Sequence, residues 1–72
     1  MAKKGNILNT IGDNIRKNRL LLNISQDQLA FEAGLSREFI NKVEAGKYNI
    51  SIVKLEKIAE VLNIELAVLF NK

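Results

Sequence analysis

Five polar side chains fall within seven consecutive positions: Ser36, Arg37, Glu38, Asn41 and Lys42. They offer a hydroxyl, a guanidinium, a carboxylate, a carboxamide and an ammonium group, a mixed set of hydrogen-bond donors and acceptors. If the stretch is helical, Ile40 and Val43 turn inward and the polar set shares the opposite face. Side chains of these types on an exposed helix can reach the edges of DNA bases. Catalysis is a poor match. The chain has no His and no Cys, which excludes disulfides and thiolate or imidazole metal sites. It has no phosphate-cradling loop and no paired acids in an evident pocket. No catalytic residue, metal ligand or cofactor is expected, and the chain is read as no enzyme.

The elements that must position this face follow from caps and periodicity. Residues 1–9 read as a flexible N-terminal arm. The first helix is expected after Thr10, whose hydroxyl can cap it while Asp13 reaches back. Ile11, Ile15 and Leu22 recur at helical spacing, with Arg19 in the same stripe. Asn23 tolerates the left-handed backbone that ends a helix. Ser25 and Gln28 form a capping box for the second helix, which buries Leu29, Ala30 and Ala33. Gly34 supplies a positive φ for a tight turn. Ser36 caps the third helix, which ends near Gly46. A loop over 47–50 follows. Ser51 caps a fourth helix with Leu55, Ile58, Ala59 and Leu62 at helical spacing. Asn63 is a second left-handed terminator, and a short fifth helix runs from about Glu65 to Phe70. No strand-like alternation occurs. The expected fold is all-α, a compact five-helix domain whose centre is two helices joined by the turn at Gly34. Residues 10–72 form that domain.

Size and charge narrow the partners. A domain of 72 residues buries only ~60% of its unfolded surface and gains from oligomerisation. No run is apolar enough to span a bilayer, and the first residues lack the hydrophobic core of a secretory signal. A cytoplasmic location and no membrane partner are expected. The net charge is +3, with 47% hydrophobic residues. Residues 1–47 hold eight basic and five acidic side chains, whereas 48–72 hold three of each. The basic excess accompanies the polar helix, as suits a polyanion.

The pattern Ile15-Arg16-x-x-Arg19, Ile24-Ser25-Gln26-x-x-Leu29-Ala30, Gly34-Leu35-Ser36, Ile40, Val43-Glu44-x-Gly46-Lys47 and Leu55-x-x-Ile58-Ala59-x-x-Leu62 resembles the Cro/phage-repressor (XRE) type of helix-turn-helix transcription regulators. The resemblance runs from about Ile11 to Phe70. Tyr48-Asn49-Ile50-Ser51-Ile52-x-x-Leu55-Glu56-Lys57-Ile58-Ala59 and the ending Leu69-Phe70 look more narrowly like the controller proteins of restriction–modification systems. The chain departs from the family pattern at Asn18, where an apolar residue is common, and at Leu20, Leu21 and Leu22, which crowd a stretch that is often charged. Asn23 and Asn63 stand in place of frequent glycines, and Ile50 in place of a frequent proline.

The resemblance implies roles for individual residues. Arg37 and Glu38 match the main base-reading positions of the recognition helix, and Asn41 and Lys42 match the secondary ones. Arginine suits guanine, because its planar fork meets two acceptors at once. Glu38 can accept from cytosine or hold Arg37 in place. Ser36 can touch a thymine methyl or a phosphate. Gln26, Ser36, Lys47, Tyr48 and Asn49 are implied to grip the DNA backbone, which positions the protein rather than specifying sequence. Arg19 and Glu44 are implied to form a partly buried ion pair joining the first helix to the end of the third. Plainer readings stand beside these. Glu38 fits simple solvation equally well, Tyr48 can merely pack on its loop, and Lys3 and Lys4 suit tail charges better than a minor-groove arm.

The C-terminal third carries more apolar groups than so short a helix can bury. Val53, Leu66, Val68, Leu69 and Phe70 are expected to form a homodimer interface, with Val53 and Phe70 the residues that intrachain core would most readily claim. Two recognition helices would then enter successive major grooves of double-stranded DNA about 34 Å apart, on a palindromic operator, with two dimers on tandem sites as a further option. No small-molecule ligand is expected. The reading is a sequence-specific transcription regulator, autoregulatory and controlling a restriction–modification operon. The alternatives are a small phage-type repressor, or the antitoxin of a toxin–antitoxin pair, for which no extra toxin-binding segment is visible.

Overall fold

The computed structural model describes residues 6–72. Four α-helices and one 3-10 turn follow in order: α1 Ile7–Leu21, α2 Gln26–Ala33, α3 Arg37–Glu44, α4 Ile52–Leu62 and the turn Leu66–Phe70. No strand occurs among the described residues. The expected all-α architecture is present, with two differences at its ends.

The first helix starts earlier than its sequence suggested. Asn6 is its cap, and the Asn6 side chain accepts from the Leu8 N–H at 2.8 Å. Thr10 lies inside α1, so residues 6–9 belong to the folded domain rather than to an arm. Asn is as good a cap as Thr or better, and no Pro or Gly between 6 and 10 interrupts the helix. The remaining arm residues, Lys3 and Lys4 among them, lie outside the described residues.

The second difference is at the C-terminus. The expected fifth helix is a 3-10 turn, with Val68 N–H donating to Glu65 O at 3.0 Å and Asn71 N–H to Val68 O at 3.2 Å. Five residues are too few to propagate an α-helix without a cap, and Glu65 makes no side-chain cap. Asn14 of α1 fastens this segment instead, donating through Nδ2 to Leu69 O at 3.0 Å and to Asn71 O at 2.6 Å.

The other boundaries fall where their caps placed them. Ser25, Ser36 and Ser51 accept from the backbone N–H of Gln28, Phe39 and Lys54. Asn23 and Asn63 adopt φ of 59° and 58°, and Gly34 turns the chain between α2 and α3 at φ 73°. Of the expected capping box only the Ser25 half forms, because the Gln28 carboxamide donates to Glu32 one turn later.

Ile11, Ile15, Leu29, Ala30, Ala33, Ile40, Val43, Leu55, Ile58, Ala59, Leu62 and Leu69 make one core. Leu22 was expected in the α1 stripe but lies just past the last helical turn and is exposed, with Leu20 and Leu21. Asn18 takes no apolar place; its Nδ2 donates to Asn14 O at 2.8 Å. Gly12 decides how close α1 comes to α3. A Cβ on Gly12 would sit 2.5 Å from Val43 O and 2.6 Å from Glu44 O, so only glycine lets the helix rest on the end of α3.

Candidate nucleic-acid interface

The face of α3 is set by what its other side buries. Ile40 and Val43 enter the core, and Glu44 is buried beside them. Positions 37, 38, 41 and 42 then share the outward face, since residues three and four apart on a helix are neighbours. Arg37, Glu38, Asn41 and Lys42 are all exposed. Ser36 is exposed at the head of α3, with its Oγ accepting from the Phe39 N–H at 3.1 Å and its hydroxyl proton free to donate.

The anchor of this helix is the pair between Arg19 and Glu44. Arg19 Nε lies 2.7 Å from Glu44 Oε2, and Nη2 donates to Oε1 at 3.1 Å. A third guanidinium nitrogen, Nη1, donates to Ile24 O at 2.8 Å. One planar side chain thus ties the end of α1, the loop into α2 and the end of α3. Bidentate geometry with the third nitrogen also bonded is what makes a buried pair tolerable.

Arg37 is held differently from the expectation. Glu38 does not hold it, because adjacent helical residues point apart. Its Nε instead lies 3.2 Å from Oδ1 of Asp27 on α2, with both side chains largely exposed. A pair so solvated contributes ~1 kcal/mol or less. It orients the guanidinium without committing it.

Gln26 is half-buried at the start of α2, facing α3. Its Nε2 donates to Glu44 Oε1 at 3.1 Å, and its Oε1 accepts from Asn41 Nδ2 at 3.3 Å. One carboxamide proton stays free for a phosphate, beside the uncapped amides of the helix start.

The loop after α3 carries Lys47, Tyr48 and Asn49, all exposed. Tyr48 packs its ring edge-on to Phe39 with centroids 5.1 Å apart. Lys42 Nζ lies 5.8 Å from the Tyr48 centroid, and Lys54 Nζ lies 4.9 Å from that of Phe39. Two ammonium groups are therefore braced on one aromatic pair between α3 and α4, which limits their wandering. Lys54 and Asp27 were not singled out from the sequence. Lys54 sits near the start of α4, in a region of balanced charge, and Asp27 looks like an ordinary first-turn acid; nothing local marks either. Among the described residues, no three His, Cys, Asp or Glu side chains come together as a metal site. Among the described residues, no helix is long and apolar enough to cross a membrane.

At the C-terminal end, the expected interface residues separate. Val53 is 61% exposed and Phe70 37% exposed, with Ile52 beside Val53 also exposed. Leu66 and Val68 are half-buried. Leu69 is fully buried in the chain's own core, so it is withdrawn from the interface set. Side chains three apart share a side of a 3-10 turn; Leu69 fills the core there, and Leu66, on the same side, packs partly against it.

A short α2, a tight left-handed turn and an α3 whose polar face is held outward define a helix-turn-helix, and the sequence model of the helix-turn-helix family matches residues 15–69. The chain belongs to this family of DNA-binding regulators, which are not enzymes. Within it, the chain is similar to controllers of restriction–modification systems. It is 39% identical over 61 residues to Control protein C.BamHI of Bacillus amyloliquefaciens, covering 83% of this chain and 75% of that one. It superposes with a TM-score of 0.85 and 40% identity on the restriction-modification controller protein C.AhdI from Aeromonas hydrophila, covering 88% of this chain and 96% of that one. It is also 35% identical over 63 residues to the immunity repressor protein of Bacillus phage phi105, covering 88% of this chain but 44% of that protein.

Proposed function

We propose that the protein is a sequence-specific transcription regulator that binds a palindromic operator as a homodimer through the major groove. Arg37 and Glu38 are its main base readers, with Asn41 and Lys42 beside them. Gln26, Ser36, Lys47, Tyr48 and Asn49 hold the DNA backbone. The observation that carries this reading is the outward polar face of α3, fixed from behind by Ile40, Val43 and the Arg19–Glu44 pair. A recognition helix must be rigid from behind and chemically varied in front, because base discrimination depends on placing donors and acceptors within tenths of an ångström.

The second subunit comes from the exposed apolar groups Val53 and Phe70, with half-buried Leu66 and Val68. A two-fold axis there leaves both α3 helices available to one face of the duplex. The likeness to control proteins supports autoregulation and control of a restriction–modification operon, with two dimers on tandem sites as an extension. The likeness to a phage immunity repressor supports a smaller alternative, a phage-type repressor. A gel shift with the DNA upstream of the protein's own gene tests the central reading. Retention of that DNA, competed by itself but not by unrelated duplex, is the expected result. Equal competition by any duplex would defeat it.

A further inference from the structure

The hydrogen bonds between Glu44, Gln26 and Asn41 have a fixed polarity, and that polarity has a consequence at the DNA surface. A carboxylate only accepts. Glu44 is buried and already bonded to Arg19 through both oxygens, so Gln26 must turn its NH2 toward Glu44 Oε1, at 3.1 Å. Gln26 Oε1 then faces Asn41. An oxygen there requires a donor, so Asn41 turns its NH2 toward it, at 3.3 Å. Asn41 is exposed on the outward face of α3. With one amide proton engaged, it presents its Oδ1 acceptor and one remaining proton.

We infer that the buried Arg19–Glu44 pair, acting through Gln26, orients the Asn41 carboxamide and makes Asn41 a reader of adenine. This rests on the DNA-binding reading above. In the major groove only adenine offers an acceptor at N7 beside a donor at N6, which match the proton and the Oδ1 that Asn41 has left. Guanine sets O6 against that Oδ1, two acceptors face to face. Thymine offers O4 and a methyl group, and cytosine one donor. Gln26 is thus a positioning residue for sequence choice as well as a contact to phosphate, and Glu44 has a part in specificity beyond fastening α3.

Selection of bound duplexes from a randomised pool tests this with the wild-type protein, N41A and Q26M, with Q26A as a second variant should methionine disturb folding as judged by circular dichroism. N41A marks the base pair in each half-site that Asn41 reads, and the wild-type base there is expected to be adenine. Q26M is expected to relax that same pair, its preference for adenine over guanine falling about tenfold, while the pairs read by Arg37 stay selected. A merely structural role for Gln26 would lower affinity for all sequences and leave the base preferences unmoved, and that result overturns the relay. Loss of any base other than adenine in N41A overturns the polarity. A wild-type protein that selects no sequence at all overturns the DNA-binding reading itself, and the relay with it.

Discussion

Glu44→Ala is the perturbation that reaches furthest into this domain. Glu44 accepts three hydrogen bonds, from Arg19 Nε at 2.7 Å, Arg19 Nη2 at 3.1 Å and Gln26 Nε2 at 3.1 Å. Arg19 is only 8% exposed and would keep a single protein partner, Ile24 O. Removing one partner of a buried pair costs about 3–5 kcal/mol, mostly because the other charge is left uncompensated. A domain of this length has a total stability of roughly 4–11 kcal/mol. The variant is therefore expected to lie near the edge of folding. With a urea slope of about 1 kcal/mol per molar, the unfolding midpoint falls by about 3 M or more. Melting falls by at least about 12 °C, at 4 °C or more per kcal/mol for a domain of this size. Helical circular dichroism at fixed protein concentration measures both, since the stability of a protein that assembles as proposed above depends on concentration. A double replacement, Arg19→Met with Glu44→Leu, is expected to recover most of the loss, because apolar groups of similar volume leave no orphaned charge. A loss below ~1 kcal/mol for Glu44→Ala, the value of an exposed pair, would refute the view that this pair anchors α3.

Further expectations concern packing, reading and assembly. Gly12→Ala gains ~1 kcal/mol of helix propensity but forces α1 off two carbonyl oxygens of α3; overpacking of ~3 kcal/mol wins, and thermal melting is expected to fall by about 8–16 °C. Arg37→Ala is expected to remove ~1–3 kcal/mol of discrimination while weak binding persists; selection of the same operator from a random pool by the variant would show that Arg37 reads nothing. Lys47→Ala is expected to weaken binding to all sequences alike and to lower the salt slope by about one; fluorescence anisotropy across a salt series checks it, and a changed base preference would contradict a backbone role. Sedimentation equilibrium at micromolar concentration is expected to find a dimer, and Val53→Glu a monomer. A wild-type protein that stays monomeric there, with a footprint of one half-site, would sink the two-fold model.

The local rules of the chain placed most of the architecture. Ser25, Ser36 and Ser51 cap helices because a short side-chain oxygen satisfies an orphan amide wherever a helix begins. Gly34, Asn23 and Asn63 turn left-handed because few other residues tolerate that backbone. Period and burial agree for Leu55, Ile58, Ala59 and Leu62, and the same logic leaves Arg37, Glu38, Asn41 and Lys42 on one outward face of α3. These are relations among neighbours in sequence, so the sequence alone determines them. Tertiary structure decided what depends on distant partners. Asn14 captures the C-terminal turn across 55 residues, which sends Leu69 inward and takes it from the surface. Asp27, not Glu38, meets Arg37, because a contact between two helices depends on their crossing and not on adjacency. The polarity passed from Glu44 through Gln26 to Asn41 exists only once α1, α2 and α3 are packed together, since a carboxamide has no preferred direction until a buried charge gives it one.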